Sequence, residues 1–194
     1  MKTKIIALIA LIIIITSPAY AQQNYFGKNK IELHNGYYFL LPDSYVPTSA
    51  EGALGFPNSV VKAYKNHNAA IIMFMSAPIP ESDETLKDMG IEGIMQKQME
   101  PIMDIQLIRT IEMNGRDTLF IRGRSKQQTE LHSYNLFGKG DGSRTKIHME
   151  MIGYIVKQGN YFYMTFCSSS PQQFPENYRD FMEIQNSFSN KPLY

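Results

Sequence analysis

Thr145-Lys146-Ile147-His148-Met149-Glu150-Met151-Ile152-Gly153-Tyr154-Ile155-Val156-Lys157, then Gln158-Gly159, then Tyr161-Phe162-Tyr163-Met164-Thr165-Phe166-Cys167 is the stretch whose reading decides the fold. Two runs rich in β-branched and aromatic residues, parted by a glycine turn, are what a hairpin of extended strands requires. Pro171 then begins a helix in which Phe174, Tyr178, Phe181, Ile184 and Phe188 recur at helical spacing, an apolar stripe suited to lie on a sheet.

The same grammar runs upstream. Lys30 to His34 and Tyr37 to Leu41 flank Asn35-Gly36, a strong hairpin signal because a type I′ turn needs positive φ at both central positions. Pro42 ends the second strand, and Asp43 to Pro57, with scattered Pro and Gly, reads as a long loop. Ser59 to Lys65 and Ala69 to Ala77 form a second hairpin around Asn66-His67-Asn68. The run Ala69 to Met75 is apolar on both faces, which predicts a central strand covered on both sides. Ser82-Asp83-Glu84 opens a helix, with Ser82 as cap and the acids at the positive end of the dipole. Pro101 stops it after Glu100. Gly90 and Gly93 cost that helix roughly 1 kcal/mol each, and close approach to the sheet is the expected compensation. Gln106 to Met113 then turns at Asn114-Gly115 into Arg116 to Ser125, and Thr129 to Phe137 leads through Gly138-Lys139-Gly140-Asp141-Gly142 to Thr145. Hairpins joined by tight turns predict an α+β class: a largely antiparallel sheet with helices on its faces.

This order resembles the PsbP-like fold family, which includes an extrinsic subunit of the photosystem II oxygen-evolving complex, a nuclear-import factor that binds the GTPase Ran, and many secreted bacterial proteins. The matching pieces are Tyr37-Tyr38-Phe39-Leu40-Leu41-Pro42, the Asn114-Gly115 hairpin, the strands and turn from Lys146 to Phe166, and the closing Ile184-Gln185-Asn186-Ser187-Phe188. The resemblance implies an α/β/α sandwich. It supplies no common catalytic residues, and it implies an accessory, protein-binding role by analogy.

The N-terminus addresses the compartment. Lys2 and Lys4 precede an apolar run, Ile5 to Ile15, followed by Thr16-Ser17-Pro18-Ala19-Tyr20-Ala21, the pattern of a secretory signal peptide cut between Ala21 and Gln22. As a helix that run reaches only about 16 Å at ~1.5 Å per residue, short of a hydrocarbon core of about 30 Å. No cysteine follows it to carry a lipid. Residues 22–29 read as a loose leader and 30–190 as one domain. Loss of Lys2 and Lys4 takes the formal charge from +1 to −1, which gives no global reason to bind nucleic acid or anionic lipid. Cys167 is the only cysteine, so no intramolecular disulfide forms, and at a strand end it reads as a buried small hydrophobe.

The most specific local cluster lies on the hairpin through the glycine-rich loop. With the turn centred on Gly140, His132 faces His148, Glu130 faces Glu150 and Tyr134 faces Lys146, all on one sheet face. Two imidazoles flanked by two carboxylates make Glu130, His132, His148 and Glu150 a candidate divalent-metal site, against the plainer reading of a solvated face. Arg122, Arg124 and Lys126 alternate as a short basic stripe able to hold an anionic partner, with Arg124 a partner for Glu130. Met73-x-Met75 and Met149-x-Met151 offer soft ligands for Cu(I), but core filling explains them more simply. The glycine loop lacks P-loop spacing. Ser168-Ser169-Ser170 lack a nucleophile-elbow pattern and read as loop and cap, and His34 and His67 fall in or beside turns.

The leading expectation is an exported, non-enzymatic accessory domain without cofactor, periplasmic or secreted. Its partner is another envelope or secreted protein, and after signal cleavage it keeps no membrane anchor. Contacts are expected on 43–57 and the glycine loop. The alternatives are a metal-dependent enzyme or metal-binding protein using the His/Glu cluster, and a small-ligand binder with a Tyr- and Phe-rich pocket between sheet and helix.

Overall fold

Two Asn-Gly turns and one glycine turn set the strand pairing. Asn35 and Gly36 adopt φ of 56° and 72°, and Asn114 and Gly115 adopt 53° and 69°, the doubly positive pattern of type I′. Tyr161 pairs with Gln158 around Gly159 and Asn160, of which only Gly159 has positive φ, 56°. That matches a type II′ turn, which favours glycine at its first central position.

A computed structural model describes residues 23–25, 28–48, 62–66, 70–134 and 140–191. The strands are β1 (Gln23–Tyr25), β2 (Lys28–Glu32), β3 (Tyr38–Pro42), β4 (Val46–Thr48), β5 (Lys62–Lys65), β6 (Ile71–Pro78), β7 (Met103–Met113), β8 (Arg116–Tyr134), β9 (Gly140–Gln158) and β10 (Tyr161–Ser169). The helices are α1 (Ile91–Met99) and α2 (Phe174–Asn186). A three-stranded sheet runs β1-β2-β3 and a seven-stranded sheet runs β4-β5-β6-β10-β9-β8-β7. Every described strand pairing is antiparallel.

Strand alternation sorts the large sheet into two faces. On one, Met73, Met75, Leu119, Ile121, Met151, Ile155, Phe162 and Phe166 pack with Ile91, Met95 and Met99 of α1. On the other, Ile72, Phe74, Ile152, Tyr154, Tyr163 and Cys167 meet Phe174, Phe181 and Ile184 of α2. Ile31, Phe39 and Leu41 of the small sheet share that second core. The result is the expected α+β arrangement, with one refinement: the α2 side is covered jointly by a helix and a second sheet. β6 lies inside the sheet with apolar residues buried on both faces, as its continuous hydrophobic run requires.

Five expectations are corrected. Residues 23–25 form β1 and pair with β2, so the stretch expected to be a loose leader carries a strand. The first helix begins at Ile91, not near Ser82, because Gly90 takes a left-handed φ of 64° and breaks the preceding turns from the helix. Neither Gly90 nor Gly93 approaches the sheet; a Cβ on either would meet nothing within 4 Å. The runs 116–125 and 129–137 were expected as two strands, but Arg116–Tyr134 is one long strand, β8, interrupted by a bulge between Arg124 and Gln128. Finally, Gly140, Asp141 and Gly142 belong to β9. The signal segment with its cleavage point at Ala21 and Gln22 lies outside the described residues, as do 49–57 of the expected loop, 58–61, His67, and Gly138 and Lys139. Among the described residues no helix is long and apolar enough to cross a membrane.

Candidate functional site

The outer strands of the large sheet extend past the cover that α2 provides. Leu119 and Ile121 of β8 face the α1 core, so alternation turns Phe120, Arg122 and Arg124 to the opposite side. There Phe120 packs with Tyr154 at 5.2 Å between ring centroids, and the Arg122 guanidinium lies 5.7 Å from the centroid of Phe174. Residues directly opposite on paired strands share a face. Register therefore adds Leu107, opposite Arg122, and Arg109, opposite Phe120. Arg109, Arg122 and Arg124 are exposed, as are Leu107 and Tyr178 of the adjoining α2, each 38% accessible. With Val46, Leu107 and Tyr178 are the large hydrophobic side chains most open to water among the described residues.

The charges on this face are uneven. Glu150, 6% accessible, accepts from Arg124 Nε at 2.5 Å. Asp104, opposite Arg124 in register, lies 3.7 Å from Lys126 Nζ. Those two carboxylates are thus met at the β8–β9 end by two cations, while Arg109 and Arg122 stand opposite apolar residues. Two acids of α2 are turned elsewhere: Glu183 lies 3.7 Å from Lys28, and the charge of Asp180 acts on Tyr45. On the other sheet face, Asp117 accepts the Leu86 N–H. Guanidinium forks beside exposed aliphatic and aromatic side chains suit the capture of carboxylates together with an apolar anchor.

A bulge shapes the end of this face. The Ser125 hydroxyl donates to Gln127 O at 2.7 Å and accepts from Met149 N at 2.8 Å. His148 Nδ1 lies 2.7 Å from Ser125 O. A carbonyl can only accept, so Nδ1 carries the proton in that bond. Nε2 then accepts from the Gln128 side-chain amide at 3.3 Å.

The chain matches no protein-family model and no curated protein. Its architecture does have solved counterparts. Cyanobacterial PsbP (CyanoP) from Synechocystis sp. PCC 6803 superposes with a TM-score of 0.56 over 89% of this chain and 97% of that one, at 12% identity. The chain has a PsbP-like fold. The Ran-binding protein Mog1p of Saccharomyces cerevisiae gives a TM-score of 0.47 over 84% of this chain and 94% of that one, at 10% identity. At such identities the likeness concerns the fold alone.

In this PsbP-like fold the residues singled out from sequence are redistributed. His148 stands opposite Gln128 and Glu150 opposite Arg124, while Glu130 pairs with Lys146 and His132 with Arg144. The expected facing pairs, His132 with His148 and Glu130 with Glu150, are therefore corrected. The physical reason is the bulge, which sets Ser125, Lys126 and Gln127 of β8 against Met149 of β9, together with a second shift that brings Tyr134 opposite Gly140. Among the residues whose side chains are described, which do not include Glu130 and His132, no group of three or more His, Cys, Asp or Glu stands ready to hold a metal. Arg124 pairs with Glu150. Met73, Met75, Met149 and Met151 are buried. Cys167 is buried and desolvation raises its pKa. Ser168 to Ser170 are buried, with Ser170 O accepting the Phe174 N–H at the start of α2. His34 stacks on Tyr161 at 4.0 Å. The rings of Tyr37, Tyr163, Phe39 and Phe188 pack against one another between sheet and helix, where a ligand pocket was expected. An open cleft of about 520 Å³ instead lies at the β7–β8 turn, between Thr85, Lys87, Thr110 and Asp117. Sequence reading named the Arg122–Arg124 stripe but missed Leu107, Arg109 and Tyr178. Their role depends on which strand forms the edge and where α2 stops covering it, and neither is a local pattern.

Proposed function

We propose that this chain is an exported, non-enzymatic accessory protein that binds another protein of the cell envelope through the open face of β7 and β8. The observation that carries the reading is the pairing of exposed Leu107 and Tyr178 with Arg109, Arg122 and Arg124 on one surface. Interface centres are enriched in tyrosine, other aromatics and arginine, and here a tyrosine and three arginines share one face. The signal pattern of residues 1–21 supports action outside the cytoplasm.

The test is site-specific photo-crosslinking in the native cell. A crosslinking residue in place of Leu107 is expected to trap one defined protein, identified by mass spectrometry. The same residue in place of exposed Lys97 on α1 is expected not to trap it. Equal, diffuse labelling from both positions would remove the basis for the reading.

A further inference from the structure

We infer that the partner presents an extended acidic segment carrying a bulky apolar side chain to this face; the inference rests on the protein-binding reading above. Four side chains at its centre form a checkerboard. Arg122 stands opposite Leu107 and Arg109 opposite Phe120, two residues farther along β8. The two arginines are thus diagonal neighbours, about 7–8 Å apart at the backbone. Carboxylates at alternate positions of an extended chain are spaced about 6.6–6.8 Å, at ~3.3–3.4 Å per residue. An acid-x-acid segment therefore matches both guanidinium groups, and the crossing diagonal of Leu107 and Phe120, with Tyr178 beside it, receives an apolar residue.

Charge complementarity favours this occupant over a neutral one. The face carries Arg109, Arg122, Arg124 and Lys126 against Glu150 and Asp104, although the chain without residues 1–21 has a formal charge of −1. Positive charge is thus concentrated here against the average of the molecule. Arginine also grips a carboxylate in two parallel hydrogen bonds, which a planar side-chain partner satisfies and a diffuse anionic surface does not require.

The experiment titrates the purified protein with a fluorescent heptapeptide bearing Glu at alternate positions around a central Phe. The controls are the same peptide with Gln for Glu and vesicles of phosphatidylglycerol. The acidic peptide is expected to bind at least about tenfold more tightly than the Gln peptide, a difference a pair of desolvated charge contacts can supply. Binding weakens with salt, and the amide shifts it causes fall on 107–111, 120–124 and Tyr178. Arg109→Glu and Arg122→Glu are expected to abolish the preference. Arg179→Glu, on a side chain 83% accessible in α2, keeps it. All three sites are exposed, and circular dichroism confirms that each variant is folded. Equal affinity for the two peptides, equal loss in all three variants, or preference for the vesicles would overturn the inference. If crosslinking at position 107 captures a defined protein while the peptides bind alike, the protein-binding reading stands and the acidic chemistry falls.

Discussion

Gly153 lies opposite Phe166 in the β9–β10 pair, and a Cβ built on it would stand 2.5 Å from the ring's Cε1. The ring is buried on the α1 face and cannot swing aside without displacing its neighbours. Gly153→Ala is therefore expected to destabilise the protein by about 1–3 kcal/mol, the usual cost of overpacking. The urea midpoint measures it; an unchanged midpoint would show that the β9–β10 spacing is looser than described. This constraint was invisible in the sequence. The reverse happened at Gly90 and Gly93. Both invited a close-approach argument, yet one serves a left-handed turn and the other faces open space. A glycine announces that a side chain is missing, and only the neighbours say why.

At the scale of elements, the long β8–β9 pair shows how a local irregularity controls which side chains meet. Ser125 holds the bulge from both sides, donating to Gln127 O and accepting from Met149 N. Ser125→Ala leaves the buried Met149 N–H without its acceptor and is expected to cost about 1–3 kcal/mol. It should also speed hydrogen exchange at Met149. Nitrogen-15 spectra of His148 should show the Nδ1–H tautomer in the parent protein and keep it in the variant, which retains the Ser125 carbonyl. An Nε2–H tautomer in the parent would contradict the His148–Ser125 contact. The existence of both strands was legible in the sequence because apolar alternation and turn residues are local signals. Their register was not. Glycines at 138, 140 and 142 offered several turn centres, and the two extra residues of the bulge carry no composition of their own. The proposed metal pairing depended on that register, so it moved with it.

The whole molecule encloses a set of phenols in its second core. Burial raises the pKa of Tyr45 and Tyr154, with the charges of Asp180 and Cys167 adding to it respectively, and pushes Tyr163 up to about 12. A group that ionises later in the folded chain than in the unfolded one contributes stability below its unfolded value of 10.0 and loses it above. Lys62 works the other way. Burial lowers its pKa, so its penalty fades as pH rises towards 10.5. The tyrosines outnumber it, and stability is expected to fall steeply above about pH 10, in the range where free phenols ionise. Tyrosinate absorbance should then appear in one step with the loss of near-ultraviolet circular dichroism. Gradual ionisation of most tyrosines near pH 10 with the tertiary signal intact would count against their burial.

The α+β class, the glycine turns, the central β6 and the apolar stripe of α2 were determined by the sequence itself, because each follows from the backbone preferences and periodicity of adjacent residues. The tertiary structure decided what those elements do together. It placed β7 at the edge, drew the N-terminal strands into a second sheet beside α2, and ended the cover of α2 short of Phe120. Leu107, Arg109, Arg122 and Tyr178 became one surface only then. They lie far apart along the chain, and long-range packing brings them together.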